Sequence, residues 1–267
     1  VIMNPFYNPL FILRVLKSYL FDINRLQKLD EDQLNAYRNK KFHQMIRHAY
    51  TVPMYHQLYK KAGIHPNDIT TISDIQKLPI VSKEIIQSHK PTELIPSSIN
   101  KNNLIKVSTS GTTGKSLSIY VNMYEIILGL FGYLRTVQEY GLNWRKNRLS
   151  IIGDFAPHTA ETGYVQRGIL PKTWFKSIYD HIQWLDTNDS PEKVLEALNN
   201  FRPDFIGGYT GMLGHLAVLK KQGKGTQISP SYIASTGALL DSNLKSFIEN
   251  AFHSTVFEVY GATETGP

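Results

Sequence analysis

The residues from Ser108 to Lys115, which read STSGTTGK, have the composition of a loop that binds phosphate groups. Two glycines permit tight turns, and such turns direct several backbone N–H groups at one point. The serine and threonine hydroxyls add neutral donors, and Lys115 adds a positive charge. Many donors, one cation and little side-chain bulk suit a polyphosphate. A polar turn between two strands has a similar composition, so the segment by itself leaves both interpretations open.

A P-loop nucleoside triphosphatase is an alternative, because Gly114-Lys115-Ser116 resembles the end of a Walker A motif. That motif requires a glycine five positions before Gly114, where this sequence has Thr109. It also requires a helix directly after the lysine, whereas residues 117–121 are typical of a strand. The sequence therefore departs from the P-loop pattern in both features.

A second candidate motif lies in the sequence EVYGATETGP, from Glu258 to Pro267. A predicted strand leads into a Tyr-Gly turn, which is followed by a hydroxyl and a carboxylate. This arrangement could bring the Tyr260 ring to a base, the Thr263 hydroxyl to a phosphate and the Glu264 carboxylate to Mg²⁺. Mg²⁺ prefers oxygen ligands and is usually held by one or two carboxylates together with phosphate oxygens. Taken alone, the motif favours an ordinary turn at the end of a strand.

The residues before about position 100 are typical of helices and connecting segments. Asp30 and Gln33 form a capping box at the start of one predicted helix, and Ser82 is a candidate cap for another. Apolar residues recur at helical spacing after the first cap, at Leu34, Phe42, Met45, Ile46 and Ala49. Residues 11–17 are apolar but short and interrupted by cations, which excludes a membrane span. A helix packed on the domain is favoured there over an amphipathic surface helix.

From about residue 104 onward, strands and helices alternate. Strands are predicted at residues 104–107, 117–121, 149–152, 205–206, 232–234 and 256–259. Helices are predicted to begin at Asn122, Ser190, Thr210 and Asp241. The sequence therefore predicts an α/β fold with mainly parallel sheets flanked by helices. Residues 1–100 are expected to form a helical segment packed on an α/β nucleotide-binding core of residues 101–267.

Composition limits the classes of function. The net charge of +7 comes from scattered lysines and arginines, so a nucleic-acid interface is not expected. The absence of cysteine excludes disulfides, thiolate zinc sites and a thiol nucleophile, and it is compatible with a cytoplasmic protein. The histidines show no metalloprotease spacing, and Gly207–Gly211 lacks the serine of a hydrolase nucleophile elbow. Tyr209 is expected either to line an acyl pocket or to be a core aromatic residue.

Together, Thr109–Lys115 and Tyr260–Glu264 resemble the signature motifs of the adenylate-forming superfamily. This superfamily includes acyl- and aryl-CoA synthetases, adenylation domains of nonribosomal peptide synthetases, and luciferases. Residues 41–86 resemble the opening of its phenylacetate–CoA ligase and CapK-like branch. The resemblance covers nearly the whole chain, as the N-terminal part of such an enzyme.

The resemblance implies a role for each matching residue. It implies a phosphate loop that holds the β- and γ-phosphates of ATP, formed by Thr109, Ser110, Gly111, Thr112, Thr113, Gly114 and Lys115. Gly237 and Ala238 would line the adenine with their backbone. Tyr260 would stack on the adenine next to Gly261, Thr263 would contact the α-phosphate, and Glu264 would hold Mg²⁺. Lys115, Thr263 and Glu264 are therefore the candidate catalytic residues.

The implied reaction is an AMP-forming ligation, in which ATP converts a carboxylate into an acyl-adenylate and the acyl group then passes to a thiol such as coenzyme A. The expected partners are a small-molecule carboxylic acid, ATP, Mg²⁺ and coenzyme A, with a homodimer left open. Family members continue to an aspartate that binds ribose and to a C-terminal domain with a catalytic lysine. Because this sequence ends at Pro267, we expect the 267 residues alone to bind ATP weakly and to adenylate poorly. The alternative is a non-catalytic nucleotide-binding or scaffold protein of the CapK type.

Overall fold

The computed structural model describes residues 5–22, 24–108, 117–155 and 180–261, apart from the side chain of residue 102. The chain divides into two compact units, Val1–Glu125 and Ile126–Pro267. The predicted division into a helical segment 1–100 and a core 101–267 stays a prediction.

The first unit is mainly helical. Its helices are α1 (Pro9–Lys17), α2 (Glu31–Tyr50), α3 (Pro53–Lys61) and α4 (Lys83–Ser88). A π-helical turn, Ser18–Asp22, extends α1. Short 3₁₀ turns lie at Pro5–Tyr7, Leu26–Lys28, Pro66–Asp68, Ile72–Lys77, Pro91–Glu93 and Lys101–Asn103. Strands β1 (Ile105–Ser108) and β2 (Ser118–Val121) then pair antiparallel.

Local signals in the first unit are confirmed. The Asp30 carboxylate accepts a bond from the Gln33 backbone N–H at 2.8 Å, and the Gln33 side chain accepts one from the Asp30 N–H at 3.3 Å. Phe42 and Ile46 enter a core with Tyr59 and Ile69. Met45 was expected on this apolar face, but it is 57% exposed, because it lies beside the buried stripe rather than within it.

The second unit is built on a five-stranded parallel sheet. Its strands are β3 (Leu149–Gly153), β4 (Ile182–Asp186), β5 (Phe205–Tyr209), β6 (Tyr232–Thr236) and β7 (Thr255–Glu258). Their order across the sheet is β4-β3-β5-β6-β7, and each neighbouring pair is parallel. This confirms the α/β class with a parallel sheet flanked by helices. Strand β4 was missed from the sequence, because the four residues after Ile182 are only partly buried and give no continuous apolar run.

In the part of the second unit that the structure describes, four helices accompany this sheet. Helix α5 (Met123–Glu139) precedes it, and α6 (Pro191–Phe201), α7 (Thr210–Lys221) and α8 (Ser242–Phe252) connect its strands. Their predicted starting points are confirmed: Asn122 and Glu125 exchange backbone–side-chain bonds of 2.9 and 3.0 Å, and Ser190 and Asp241 cap α6 and α8. The central residues of the strands pack against the helices in one core, which includes Ile152, Ile206, Ile233, Val256, Leu198, Leu213, Leu216 and Phe252.

Candidate functional site

The carboxyl edge of the parallel sheet is the candidate binding edge of the second unit. In the strand order, β3 is followed along the chain by its neighbour on one side, β4, whereas β5 is followed by its neighbour in the opposite direction, β6. Open α/β sheets bind ligands outside the carboxyl ends of the strands, at the point where the strand order reverses. In this sheet that point lies between β3 and β5, so the segments that follow these strands flank it.

The turn after β6 requires glycine because an aromatic ring lies against it. Gly237 has a φ of 83°, a left-handed conformation that L-residues with side chains rarely adopt. A Cβ atom at Gly237 would overlap the Tyr209 ring, whose Cε1 would be 2.7 Å away. Tyr209 is the last residue of β5 and is partly buried. The ring at the end of β5 and the turn at the end of β6 therefore exclude any larger residue at position 237.

A buried hydroxyl joins the same turn to helix α7. Thr210, the first residue of α7, is 4% exposed, and its Oγ1 lies 2.8 Å from the Ser235 Oγ. The Oγ1 also lies 3.1 Å from the Thr236 carbonyl oxygen and 3.0 Å from that of Ala238. Carbonyl oxygens can only accept hydrogen bonds, so the single proton of the Thr210 hydroxyl is directed at them. The Thr210 oxygen then accepts the proton of the Ser235 hydroxyl. The sequence indicated Thr210 only as a helix start, and no local signal showed that its hydroxyl holds the turn.

The end of β7 is fixed to the end of β6. The Val259 N–H donates to the Ser235 carbonyl oxygen at 2.8 Å, and the Glu258 carboxylate accepts from the Leu240 N–H at 3.3 Å. Beyond these bonds the Tyr260 side chain is 93% exposed. A large aromatic face is thus presented to solvent at the edge of a well-anchored turn, where a flat apolar group could stack on it.

The ends of β3 and β4 carry two carboxylates joined by one amide. The Asn188 side-chain N–H₂ donates to Asp154 at 3.1 Å and to Asp186 at 2.9 Å. The Thr187 N–H donates to the Gly153 carbonyl oxygen at 2.8 Å, which continues the pairing of the two strands. This network orders the segment after β4 on one side of the point where the strand order reverses.

Tyr133 of helix α5 has a buried hydroxyl that lies next to Gly207 of β5. The Tyr133 Oη is buried and has no hydrogen-bond partner among the described residues. Burial raises the pKa of this phenol above its usual value. A Cβ at Gly207 would lie 2.6 Å from the Tyr133 Oη, and the Tyr133 ring packs edge-on against Phe205 with ring centroids 5.9 Å apart. Gly207 therefore makes room for the tyrosine, and Tyr133 fills the space that a side chain would otherwise occupy.

The sequence-predicted site residues fall into two groups. Gly237, Ala238, Tyr260 and Gly261 lie at the carboxyl edge described above. The other candidates lie outside the described residues: Thr109, Ser110, Gly111, Thr112, Thr113, Gly114, Lys115, Thr263 and Glu264. The strands on either side of the predicted phosphate loop are described, and Ser108 and Ser118 are opposite each other with their hydroxyl oxygens 3.0 Å apart. A strand rather than a helix follows Lys115, as the sequence predicted when the P-loop was excluded.

Within residues 5–22, 24–108, 117–155 and 180–261, no group of three or more histidine or acidic side chains is arranged to hold a metal ion. In the same ranges, no helix is both long and apolar enough to cross a bilayer.

No family model matches this sequence. The protein named CapK of Staphylococcus aureus is 24% identical over 259 residues, which are 95% of this chain and 55% of that protein. A phenylacetate-coenzyme A ligase of Escherichia coli is 28% identical over 95 residues, 35% of this chain and 21% of that enzyme. The chain therefore spans about half the length of the first of these relatives.

A solved 2-hydroxyisobutyryl-CoA ligase has the same fold. Its open conformation superposes with a TM-score of 0.70 over 90% of this chain and 52% of that one, at 13% sequence identity. Identity at this level bears on the fold alone. The sequence relatives and the shared fold agree with the resemblance inferred from the two motifs. The chain is thus similar in sequence to CapK and to phenylacetate-coenzyme A ligases, and it shares its fold with a CoA ligase.

Proposed function

We propose that this chain supplies the nucleotide-binding part of an AMP-forming acid–thiol ligase. In the first half-reaction, a carboxylate oxygen of the substrate attacks the α-phosphorus of ATP, and the bond to the β-phosphate breaks. The products are an acyl-adenylate and pyrophosphate. In the second half-reaction, a thiol such as coenzyme A attacks the acyl carbon, and AMP leaves. The solved structure with the same fold was determined with 2-HIB-AMP and CoA, which supports a nucleotide and CoA chemistry of this kind.

The observation that carries the proposal is the exposed ring of Tyr260 next to the anchored turn at the end of β6. Tyr260 is 93% exposed, although the residues just before it are bonded to β6 and to the turn. An adenine stacked on this ring would remove two apolar faces from water. The backbone of Gly237 and Ala238, which Thr210 holds in place, would line the edge of the base.

Charge neutralisation is the main task of the remaining proposed residues. The attacking carboxylate and the triphosphate are both anions, so they approach only where fixed donors and cations reduce their repulsion. The loop from Thr109 to Lys115 would supply N–H groups, hydroxyls and one ammonium group. Mg²⁺ would be held by Glu264 and phosphate oxygens, and it would add positive charge near the phosphates. One carboxylate fits this role, because Mg²⁺ on a nucleotide needs only one or two protein carboxylates.

Binding measurements on the full-length protein test the nucleotide site. Isothermal titration with ATP in the presence of Mg²⁺ is expected to show binding that Glu264→Ala abolishes. Tyr260→Ala is expected to weaken binding about tenfold, since stacking of a base on an aromatic side chain contributes ~1–3 kcal/mol. Tyr260→Phe is the matched control, because it keeps the ring and should keep the affinity. Equal affinities for the phenylalanine and alanine variants would contradict the stacking role.

Pyrophosphate release then tests the reaction and its substrate. The full-length protein is incubated with Mg²⁺-ATP and a panel of aliphatic and aromatic carboxylic acids, and pyrophosphate is measured with and without coenzyme A. At least one acid is expected to stimulate release, and Lys115→Ala is expected to reduce it. If the protein binds nucleotide but releases no pyrophosphate with any acid, the ligase assignment is wrong and only the nucleotide-binding site remains supported. The compartment we propose is the cytoplasm, which supplies both ATP and coenzyme A.

A non-catalytic nucleotide-binding or scaffold role is the second candidate. It is motivated by the extent of the similarity, because the match that covers 95% of this chain is to the protein named CapK, whose name states no reaction, whereas the match to the E. coli ligase covers 35%. This role predicts no acid-dependent pyrophosphate release from the full-length protein. A scaffold that does not use the nucleotide also predicts that Glu264→Ala leaves the biological function of the protein in cells unchanged, whereas the ligase predicts loss of that function.

A further inference from the structure

Helix α1 and its extension expose an unusual amount of apolar surface. The apolar face, defined here as Tyr7, Leu10, Leu13, Leu16, Leu20 and Phe21, has side chains that are 47–75% exposed. No residue of α1 itself is buried. Leu10, Leu13 and Leu20 follow one another at intervals of three and seven residues, which puts them on one side of a helix. Six large apolar side chains on α1, its extension and the 3₁₀ turn before it form a patch of the kind that marks an interaction site.

The opposite side of the helix is the one that packs. Ser18 is buried, and its Oγ lies 2.7 Å from the Tyr124 Oη. The Arg14 guanidinium lies over the Tyr124 ring, 3.7 Å from its centroid. These contacts fix the rotation of α1 about its axis. The apolar face is therefore turned outward by specific contacts.

The charge around this face is mainly positive. The only aspartate or glutamate between Pro5 and Leu29 is Asp22, at the end of the extension, and its carboxylate accepts from the Ser18 hydroxyl at 3.1 Å. Lys17 is exposed on the helix, and Arg25 and Lys28 are exposed just beyond it. The chain as a whole carries a formal charge of +7. Leucines flanked by an excess of cations complement a surface that is apolar inside and anionic at its rim.

We propose that α1 and its extension lie in the surface of an anionic lipid bilayer, parallel to the membrane plane. Interfacial helices bury an apolar face at the boundary between headgroups and acyl chains, while lysine and arginine attract anionic lipids. The segment Pro9–Asp22 is about 20 Å long at the helical rise per residue, which is shorter than the ~30 Å hydrocarbon core. Tyr7, near one end of the face, belongs to a residue type that is enriched in the headgroup region.

Vesicle sedimentation of the full-length protein tests the proposal. The protein is mixed with vesicles of phosphatidylcholine alone or with about one third phosphatidylglycerol, and the bound fraction is measured at low and high salt. Binding is expected to the anionic vesicles and to weaken in high salt. Leu13→Glu/Leu20→Glu should reduce the bound fraction at least fivefold, because each change places a carboxylate in the contact. Lys17→Gln should weaken binding up to about fivefold, since a basic residue near an anionic surface contributes ~1 kcal/mol.

Met45→Glu/Ile80→Glu is the matched control, because these residues are 57% and 92% exposed and lie outside the apolar face. It adds the same charge and is expected to bind vesicles as the wild type does. Equal losses in both double variants would contradict the proposal by assigning the effect to net charge. Absence of vesicle binding by the wild-type protein would overturn the proposal. A dimer that depends on these leucines, forms without lipid and prevents vesicle binding would also overturn it. Circular dichroism shows whether each variant is folded, so the outcome is independent of the proposed function.

Discussion

The Thr210 hydroxyl allows the proposed architecture of the nucleotide edge to be tested with a single nearly isosteric substitution. Thr210→Val keeps the β-branched shape at the first residue of α7 and removes only the hydroxyl. Ser235 then loses the acceptor of its proton at 2.8 Å, and a carbonyl oxygen of the turn after β6 loses its donor. Ser235 is fully buried, so water does not replace these partners without rearrangement.

The expected cost is a large part of a typical protein's stability. A buried polar group left without a partner costs about 1–3 kcal/mol, and two groups are affected here, so we expect a loss of roughly 2–6 kcal/mol. Whole domains are stable by only about 5–15 kcal/mol. Loosening the turn should also weaken AMP binding. If ordering the turn again consumes ~1.4 kcal/mol of the binding free energy, the affinity falls about tenfold.

Urea denaturation followed by tryptophan fluorescence measures this cost in the relevant unit, because the 3 tryptophans of the chain all lie after residue 140. Thr136→Val is the matched control: its hydroxyl donates to the Gly132 carbonyl oxygen at 3.1 Å on an exposed part of α5. The control should change the free energy of unfolding by less than about 0.5 kcal/mol. If Thr210→Val cost no more than this control, the hydroxyl would not hold the turn and our reasoning would be refuted.

Three further substitutions test other parts of the structure. Gly237→Ala should destabilise the second unit by more than ~1 kcal/mol, because it adds backbone strain and a clash with Tyr209. The loss of stability should be smaller when the same change is made in a Tyr209→Ala background. Additive effects of the two substitutions would argue against the contact. Tyr133→Phe should leave the free energy of unfolding unchanged or raise it by up to ~1 kcal/mol, because it removes a buried hydroxyl that has no partner in the described residues. A clear decrease in the free energy of unfolding would contradict this expectation. Lys77 and two backbone N–H groups hold the pKa of Asp74 well below its usual value, so its contribution to stability is present above the unfolded pKa near 4 and is lost as the pH falls toward the folded pKa. Asp74→Asn should therefore flatten the acid side of the stability profile measured by circular dichroism, and an unchanged profile would contradict this role.

Signals that act within a few residues could be predicted from the sequence. The capping residues Asp30, Asn122, Ser190 and Asp241 all bond to N–H groups two or three residues away, as expected. The alternation of strands and helices after residue 104 likewise predicted a parallel α/β fold, because it follows from the spacing of apolar residues. Where the local signal was weak, prediction failed: Met45 is exposed, and strand β4 was missed.

Contacts between distant residues were decided only by the tertiary structure. The sequence did not show that β3 lies between β4 and β5, although this order determines where the binding edge opens. It marked Gly237 as part of a motif, but the Tyr209 ring supplies the steric reason for the glycine. It marked Thr210 as a helix start, whereas its hydroxyl holds residues of the β6 turn. Such contacts join positions about 25 residues apart, whose distance depends on how helices pack on the sheet, whereas local sequence patterns are limited to the reach of a single helix or strand.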